Sequence, residues 1–254
     1  LSNLNIHLID DILSRLSFRD VVRVSTLSKD WQYICWRIPQ VKFDQIVWKT
    51  LEDLTSPTIG FIPIIDSFLR ELVLEDQDDF VNIFSSIPAL ECFSWDLFEV
   101  DNGSTKVKPT RLPLVLNCLK CLFMSWITLG EFFGLSFALC IIQSSPHLEE
   151  IEIKECILSD GDYFECVPQE AIDEIPASFS DITFNHIRTV KFYDELLEEV
   201  EMQLIKVLLA KSPALVKMVI KPRQMETNKS LNVLAEITKF QWASSKAELM
   251  YLVD

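Results

Sequence analysis

One apolar spacing returns along this chain and restricts its fold more than any other feature. Leu148-x-x-Ile151-x-Ile153-x-x-Cys156-x-Leu158 fits the leucine-rich-repeat frame L-x-x-L-x-L-x-x-[N/C]-x-L at every apolar position. Leu119-x-x-Leu122-x-Met124-x-x-Ile127-x-Leu129 fits it with Ile127 in the Asn/Cys slot. Shorter forms begin at Leu69, Leu90, Ile187 and Leu215, and the intervals between successive starts are 21, 29, 29, 39 and 28 residues. All but the 39-residue interval lie near the usual 20–29 period, and the long one is read as holding an insertion.

A second regularity runs in phase with the first. Pro88, Pro146 and Pro213 each stand two residues before a repeat's opening leucine. Each also follows a helix-like apolar stretch, at 80–87, 132–142 and 202–209. Proline disfavours helix in the residue before it, so it ends the helix and releases the chain into an extended segment. The unit is therefore helix, Ser-x-Pro or Ser-Pro, strand. A single unit cannot bury its apolar side, so stacked units should form a parallel sheet with helices on the other face. On this reading Ile151 and Ile153 point into the core. The residues between the inward positions, Glu91, Ser94, Lys120, Phe123, Glu150, Glu152, Lys191 and Lys217, face outward.

Residues 1–44 follow a different rule. Leu8, Ile9, Ile12, Leu13 and Leu16 are spaced to line one side of a helix. Ser17-Phe18-Arg19-Asp20 has the form of a capping box that restarts the chain as a second helix carrying Val21, Val22, Val24 and Leu27. Ser28 can cap a third helix, over 29–37, which holds Trp31, Ile34 and Trp36 and stops at Pro39. Three short helices hide only part of their apolar surface. The remainder must pack on the next domain or meet a partner.

This order of residues, Leu4-x(3)-Leu8-Ile9-x(2)-Ile12-Leu13-x(2)-Leu16-x(3)-Asp20-x(2)-Arg23-x-Ser25-x-Leu27-Ser28-Lys29-x-Trp31, resembles the F-box of plant proteins. Pro39-x-Val41-x-Phe43-Asp44 resembles the tail that follows it, while Asn5 and Ser17 stand where such segments usually have proline. The resemblance implies binding to a Skp-type adaptor, and through it to a cullin-RING ubiquitin ligase. The implied contact residues are Leu4, Leu8, Ile9, Ile12, Leu13, Leu16, Val21, Val22, Leu27 and Trp31. Nearer the C-terminus, 186–192, 201–215 and 218–222 are similar to the FBD module that closes many plant F-box proteins with leucine-rich repeats, and 244–251 resembles its final strand. The chain as a whole thus resembles a short F-box/FBD/leucine-rich-repeat protein lacking several repeats.

The expected fold class is α/β: a small N-terminal three-helix F-box, then a short leucine-rich-repeat-like solenoid of parallel strands and helices, closed by an FBD module. The boundaries are 1–44 for the F-box, 45–68 for a linker or first cap, 69–180 for the repeats with an acidic insertion at 159–180, and 181–254 for the module.

Charge and cysteine usage narrow the function. The net charge of −15 is unevenly spread: 1–44 carries +1, so the rest of the chain carries −16. An acidic body repels phosphate backbones, which argues against nucleic-acid binding. Residues 149–174 have a net charge of −9 and are read either as a docking surface for a basic partner or as a solvated, mobile loop; 205–254 has a net charge of +4. No window reaches the ~18 uninterrupted apolar residues of a membrane span. Seven irregularly spaced cysteines, with no secretory leader in view, predict free thiols and an intracellular protein of the nucleus or cytoplasm.

Catalytic signals are sparse. Cys118-x-x-Cys121 is the one candidate redox pair or half zinc site, and it has no second Cys or His pair at ligand spacing. His7, His147 and His186 are isolated in sequence, and the five glycines form no phosphate-binding loop. No cofactor or metal is called for, and the expected protein is not an enzyme. It is expected to be a substrate-recognition adaptor of an SCF-type ligase, with a target bound near Phe123, Glu150 and Glu152. The alternative is a non-degradative interaction scaffold with a shortened repeat array.

Overall fold

The computed structural model describes residues 6–16, 40–43, 89–96, 115–127, 129–130, 132–155, 167–194, 197–222 and 227–252. Seven parallel strands form one sheet in strict chain order: β1 (Gln40–Phe43), β2 (Cys92–Asp96), β3 (Cys121–Ile127), β4 (Glu150–Glu155), β5 (Thr189–Asp194), β6 (Lys217–Pro222) and β7 (Glu248–Tyr251). Helices α1 (Ile6–Ser14), α2 (Phe132–Ser144), α3 (Gln169–Ser178), α4 (Glu199–Lys211) and α5 (Thr227–Ile237) complete the described elements. Parallel neighbours in sequence order, joined by a helix at each connection from β3 to β7, are what stacked helix–strand units produce.

The repeat frame accounts for the core position by position. Leu90, Phe93 and Trp95, then Leu119, Leu122 and Met124, then Leu148, Ile151 and Ile153, are buried. The same holds for Ile187, Val190 and Phe192, and for Leu215, Met218 and Ile220. Register stacks them into two rows: Phe93, Leu122, Ile151, Val190 and Met218, and beside it Trp95, Met124, Ile153, Phe192 and Ile220. Leu135, Ala138, Ile141 and Ile142 of α2 and Leu204, Leu208 and Leu209 of α4 join the same cluster. Phe93, Trp95 and Phe137 fill one end of it, with ring centroids 5.1 to 6.4 Å apart.

The rise from repeat to repeat is built on backbone hydrogen bonds at a single frame position. The Glu91 carbonyl accepts the N–H groups of Lys120 and Cys121, and the Lys120 carbonyl accepts those of Glu149 and Glu150. Glu149 does the same for Arg188 and Thr189, and Arg188 for Val216 and Lys217, all at 2.7–3.2 Å. Each carbonyl has two lone pairs, so one carbonyl takes both amides at each of these strand entries.

The serine–proline punctuation forms a turn. The Ser145 carbonyl accepts the Leu148 N–H at 3.3 Å, and the Ser212 carbonyl accepts that of Leu215 at 3.2 Å. Pro146 and Pro213 therefore sit at the second position of a four-residue turn, where a fixed φ near −65° is already correct. The serines themselves are fully buried. The Ser145 hydroxyl donates to the Ile141 carbonyl at 2.6 Å, satisfying the helix end it leaves. The equivalent punctuation at Pro88 lies outside the described residues.

Three expectations are corrected. The first concerns the boundary at residue 44: Gln40–Phe43 pairs in parallel with Cys92–Trp95, so the tail of the N-terminal segment is the first strand of the sheet. The frame at Leu69 lies outside the described residues, and β1 and β2, which flank it in sequence, pair directly. The second concerns the acidic insertion, of which 169–178 is not a mobile loop. It is helix α3, whose Ile172 and Ile175 are buried while Glu170, Asp173 and Glu174 face solvent. A repeat's own helix thus occupies much of the long 148–187 interval. The third is that the acidic run is not one surface. Glu150 and Glu152 belong to the sheet, and the α3 acids belong to the helical layer.

Candidate functional site

Two surfaces carry the features from which function can be argued. The first is α1. Its nine residues place Ile9 and Leu13 in the interior, at 5% and 3% exposure, whereas Leu8 and Ile12 remain 50% and 43% exposed. The apolar positions read as one side of the helix therefore divide into two stripes, and Leu16 is half-buried. Leu8 and Ile12 are one turn apart and share a face. Two large aliphatic side chains exposed on one face form an apolar surface. Arg15 and Asp11, paired at 3.1 Å, sit beside them on the exposed side. Leu4, Val21, Val22, Leu27 and Trp31, and the expected second and third helices, lie outside the described residues.

The second surface is the open face of the sheet, opposite the helices. Strand alternation brings Ser94, Phe123, Glu152, Lys191, Val219 and Met250 into one row, and Cys92, Cys121, Glu150, Thr189, Lys217 and Glu248 into the next. Six of the eight residues expected to face outward fall in these two rows. Glu91 and Lys120 immediately precede their strands and pair with each other at 3.1 Å.

Phe123, Glu150 and Glu152 are adjacent on this face. Phe123 is half-buried and lies in register between Ser94 and Glu152. The two carboxylates share one cation. Lys191 Nζ stands 2.7 Å from Glu150 Oε1 and 3.2 Å from Glu152 Oε2, with about a quarter to a third of each side chain exposed. The Glu150 carboxylate holds the Lys191 ammonium above its usual range; burial opposes this and Glu152 adds to it. Glu91 likewise raises Lys120, which is partly exposed. The partner of the strand-face acids is thus Lys191, not the basic 205–254 segment. A fixed anion–cation–anion row next to an aromatic ring can orient a polar peptide, and it holds no group poised for proton transfer or nucleophilic attack.

The Cys118–Cys121 pair reads differently in three dimensions. Cys118 is exposed on the turn before β3, and Cys121 on the open face faces Cys92 of β2. Among the described residues no group of three or more His, Cys, Asp or Glu side chains is placed to hold a metal. No helix among them is long and apolar enough to cross a membrane. His147 and His186, isolated in sequence, meet with ring centroids 5.0 Å apart. Both pairings had a legible signal. Cys92 and Cys121 each lie two residues after a frame's opening leucine, and the two histidines each lie one residue before a frame's opening residue, Leu148 or Ile187. In a stacked array, equal frame positions become neighbours.

Residues 1–39, which include α1, match the F-box domain, and the described residues downstream form a parallel repeat sheet. Beyond that domain the chain is similar to an F-box/FBD/LRR-repeat protein of Arabidopsis thaliana, with 21% identity over 182 residues, or 71% of this chain. The match spans 43% of that protein's length, less than half. No solved structure matches the chain. The resemblance to plant F-box/FBD/leucine-rich-repeat proteins therefore rests on the F-box match and on this relative.

Proposed function

We propose that this chain is a substrate-recognition adaptor of a Skp–cullin–F-box ubiquitin ligase. On this reading the N-terminal segment binds a Skp-type adaptor, and the open sheet face presents a protein target. Ubiquitin transfer would belong to the ligase complex and not to this chain. The observation that carries the reading is the pair Leu8 and Ile12, an exposed apolar stripe within the 1–39 F-box match. F-box segments in general meet Skp-type adaptors through apolar helical surface, and a stripe exposed in the isolated chain becomes dry in the complex.

Target binding is assigned to the row around Phe123, Glu152 and Lys191, with Glu150 beside it. An aromatic anchor flanked by fixed charges supplies both contact area and orientation. The test is co-purification of the full chain with a Skp-type adaptor. Leu8→Asp and Ile12→Asp each put a charge into a contact that must lose its water. Each should weaken adaptor binding at least about tenfold, which is ~1.4 kcal/mol. Since both side chains are exposed in the free chain, its melting temperature should stay within about 2 °C of wild type. Wild-type co-purification by both variants would overturn the assignment of this surface.

A further inference from the structure

We propose that Cys92 and Cys121 form a site of reversible oxidation, closing as a disulfide across β2 and β3 on the open face of the sheet. The two residues are directly paired in the parallel register. Neighbouring strands lie about 4.8 Å apart, inside the Cα separation of roughly 4.4–6.8 Å that a disulfide spans. Both side chains leave the sheet on the same side, because Phe93 and Leu122, the next residues along, are buried on the other. The two cysteines are register partners, and both are half-buried, open enough for a small oxidant. The bond would close without moving a core residue.

Burial, reinforced by the adjacent Cys121, pushes the Cys92 thiol up to about 12. The proposed sequence takes Cys121 as the attacking thiol and Cys92 as the resolving one. The oxidant is a hydroperoxide. The Cys121 thiolate attacks the peroxide oxygen and the O–O bond breaks. The products are a Cys121 sulfenic acid and, after protonation, water or an alcohol. The Cys92 sulfur then displaces the sulfenic hydroxyl. The S–S bond forms, the S–O bond breaks, the Cys92 proton leaves with the hydroxyl as a second water, and the two thiols have given up two electrons. The bond would tie β2 to β3 beside Glu150 and Phe123, so an oxidised chain carries an altered open face.

The experiment uses the full folded chain, reduced, freed of reductant and exposed to a slight excess of hydrogen peroxide. Remaining thiols are alkylated, and the chain is digested without reduction and mapped by mass spectrometry. A Cys92–Cys121 linked peptide pair, lost on dithiothreitol treatment and retained in Cys118→Ser, is the expected result. In Cys92→Ser the Cys121 sulfenic acid has no resolving partner and should be trapped by dimedone at least about fivefold more than in the wild type. A Cys118–Cys121 link, or Cys92 still fully alkylated after Cys121 is oxidised, would overturn the proposal. So would the same 92–121 link forming equally well in concentrated guanidinium chloride, because the selectivity would then not come from the fold.

Discussion

Ile153 is the sharpest place to test the strand register. It lies midway along the row Trp95, Met124, Ile153, Phe192 and Ile220, and is 1% exposed. Replacing it with alanine removes about three carbons from the interior, worth ~2.4 kcal/mol at ~0.8 kcal/mol per methylene. A packed parallel sheet relaxes poorly around the gap, and the residual cavity raises the cost to about 3–4 kcal/mol. For a chain of this size that is a fall of roughly 6–16 °C in melting temperature. The adjacent Glu152 points to the other face. Glu152→Ala loses a 3.2 Å contact, but Lys191 keeps Glu150 at 2.7 Å, so the cost should stay below about 0.5 kcal/mol. Ile153→Val, which leaves most of the volume filled, should fall between them at about 0.5–1.5 kcal/mol. Thermal unfolding followed by circular dichroism measures all three variants. A one-residue slip would exchange the faces. Equal shifts for Ile153→Ala and Glu152→Ala, or a larger one for the glutamate, would therefore refute the register and the core derived from it.

Lys191→Ala leaves Glu150 and Glu152 on one face without their cation, and should cost about 1 kcal/mol in low-salt urea unfolding and less at high salt. Lys191, above its usual 10.5, and the Cys92 thiol, raised from 9.0 to about 12, both hold their protons longer in the folded chain than in the unfolded one. The folded state then binds more protons, so stability is fully present below pH 9 and falls as pH rises toward 12. Cys92→Ser should flatten the early part of that decline in a pH series of urea melts. Phe123→Ala should leave the melting temperature nearly unchanged and weaken capture of a target obtained by proximity labelling with the full chain at least about fivefold; a large loss of stability with capture intact would place the ring in the core. Leu8→Asp and Ile12→Asp should separate adaptor binding from folding, as measured by co-purification and melting in parallel.

Much of this molecule is readable from residue order, because a solenoid translates sequence period directly into spatial neighbourhood. The frames opening at Leu90, Leu119, Leu148, Ile187 and Leu215 all deliver buried residues at the expected offsets, and Pro146 and Pro213 mark the turns between helix and strand. Each of these assignments needs only local periodicity and the fixed φ of proline. The F-box resemblance was likewise carried by local order, and the match over 1–39 agrees with it.

What residue order left open depends on contacts between segments distant in the chain. Ile38-x-x-Val41-x-Phe43 has the short repeat spacing but was read only as the tail of the N-terminal segment; pairing with Cys92–Trp95 makes Gln40–Phe43 a strand of the sheet. The acidic run reads as solvated by charge count, yet Ile172 and Ile175 fold part of it into a helix, because burying two isoleucines outweighs exposing carboxylates that stay in water anyway. The helix at the N-terminus shows five apolar residues on one side; only the tertiary structure decides that Ile9 and Leu13 are buried and Leu8 and Ile12 are exposed. Register also joins Cys121 to Cys92 instead of Cys118, and gives Lys191 two carboxylates from another strand. Periodicity specifies which side of an element is apolar. The occupant of that side, and the side chain that lies alongside in the next repeat, are set by the long-range packing that closes the sheet.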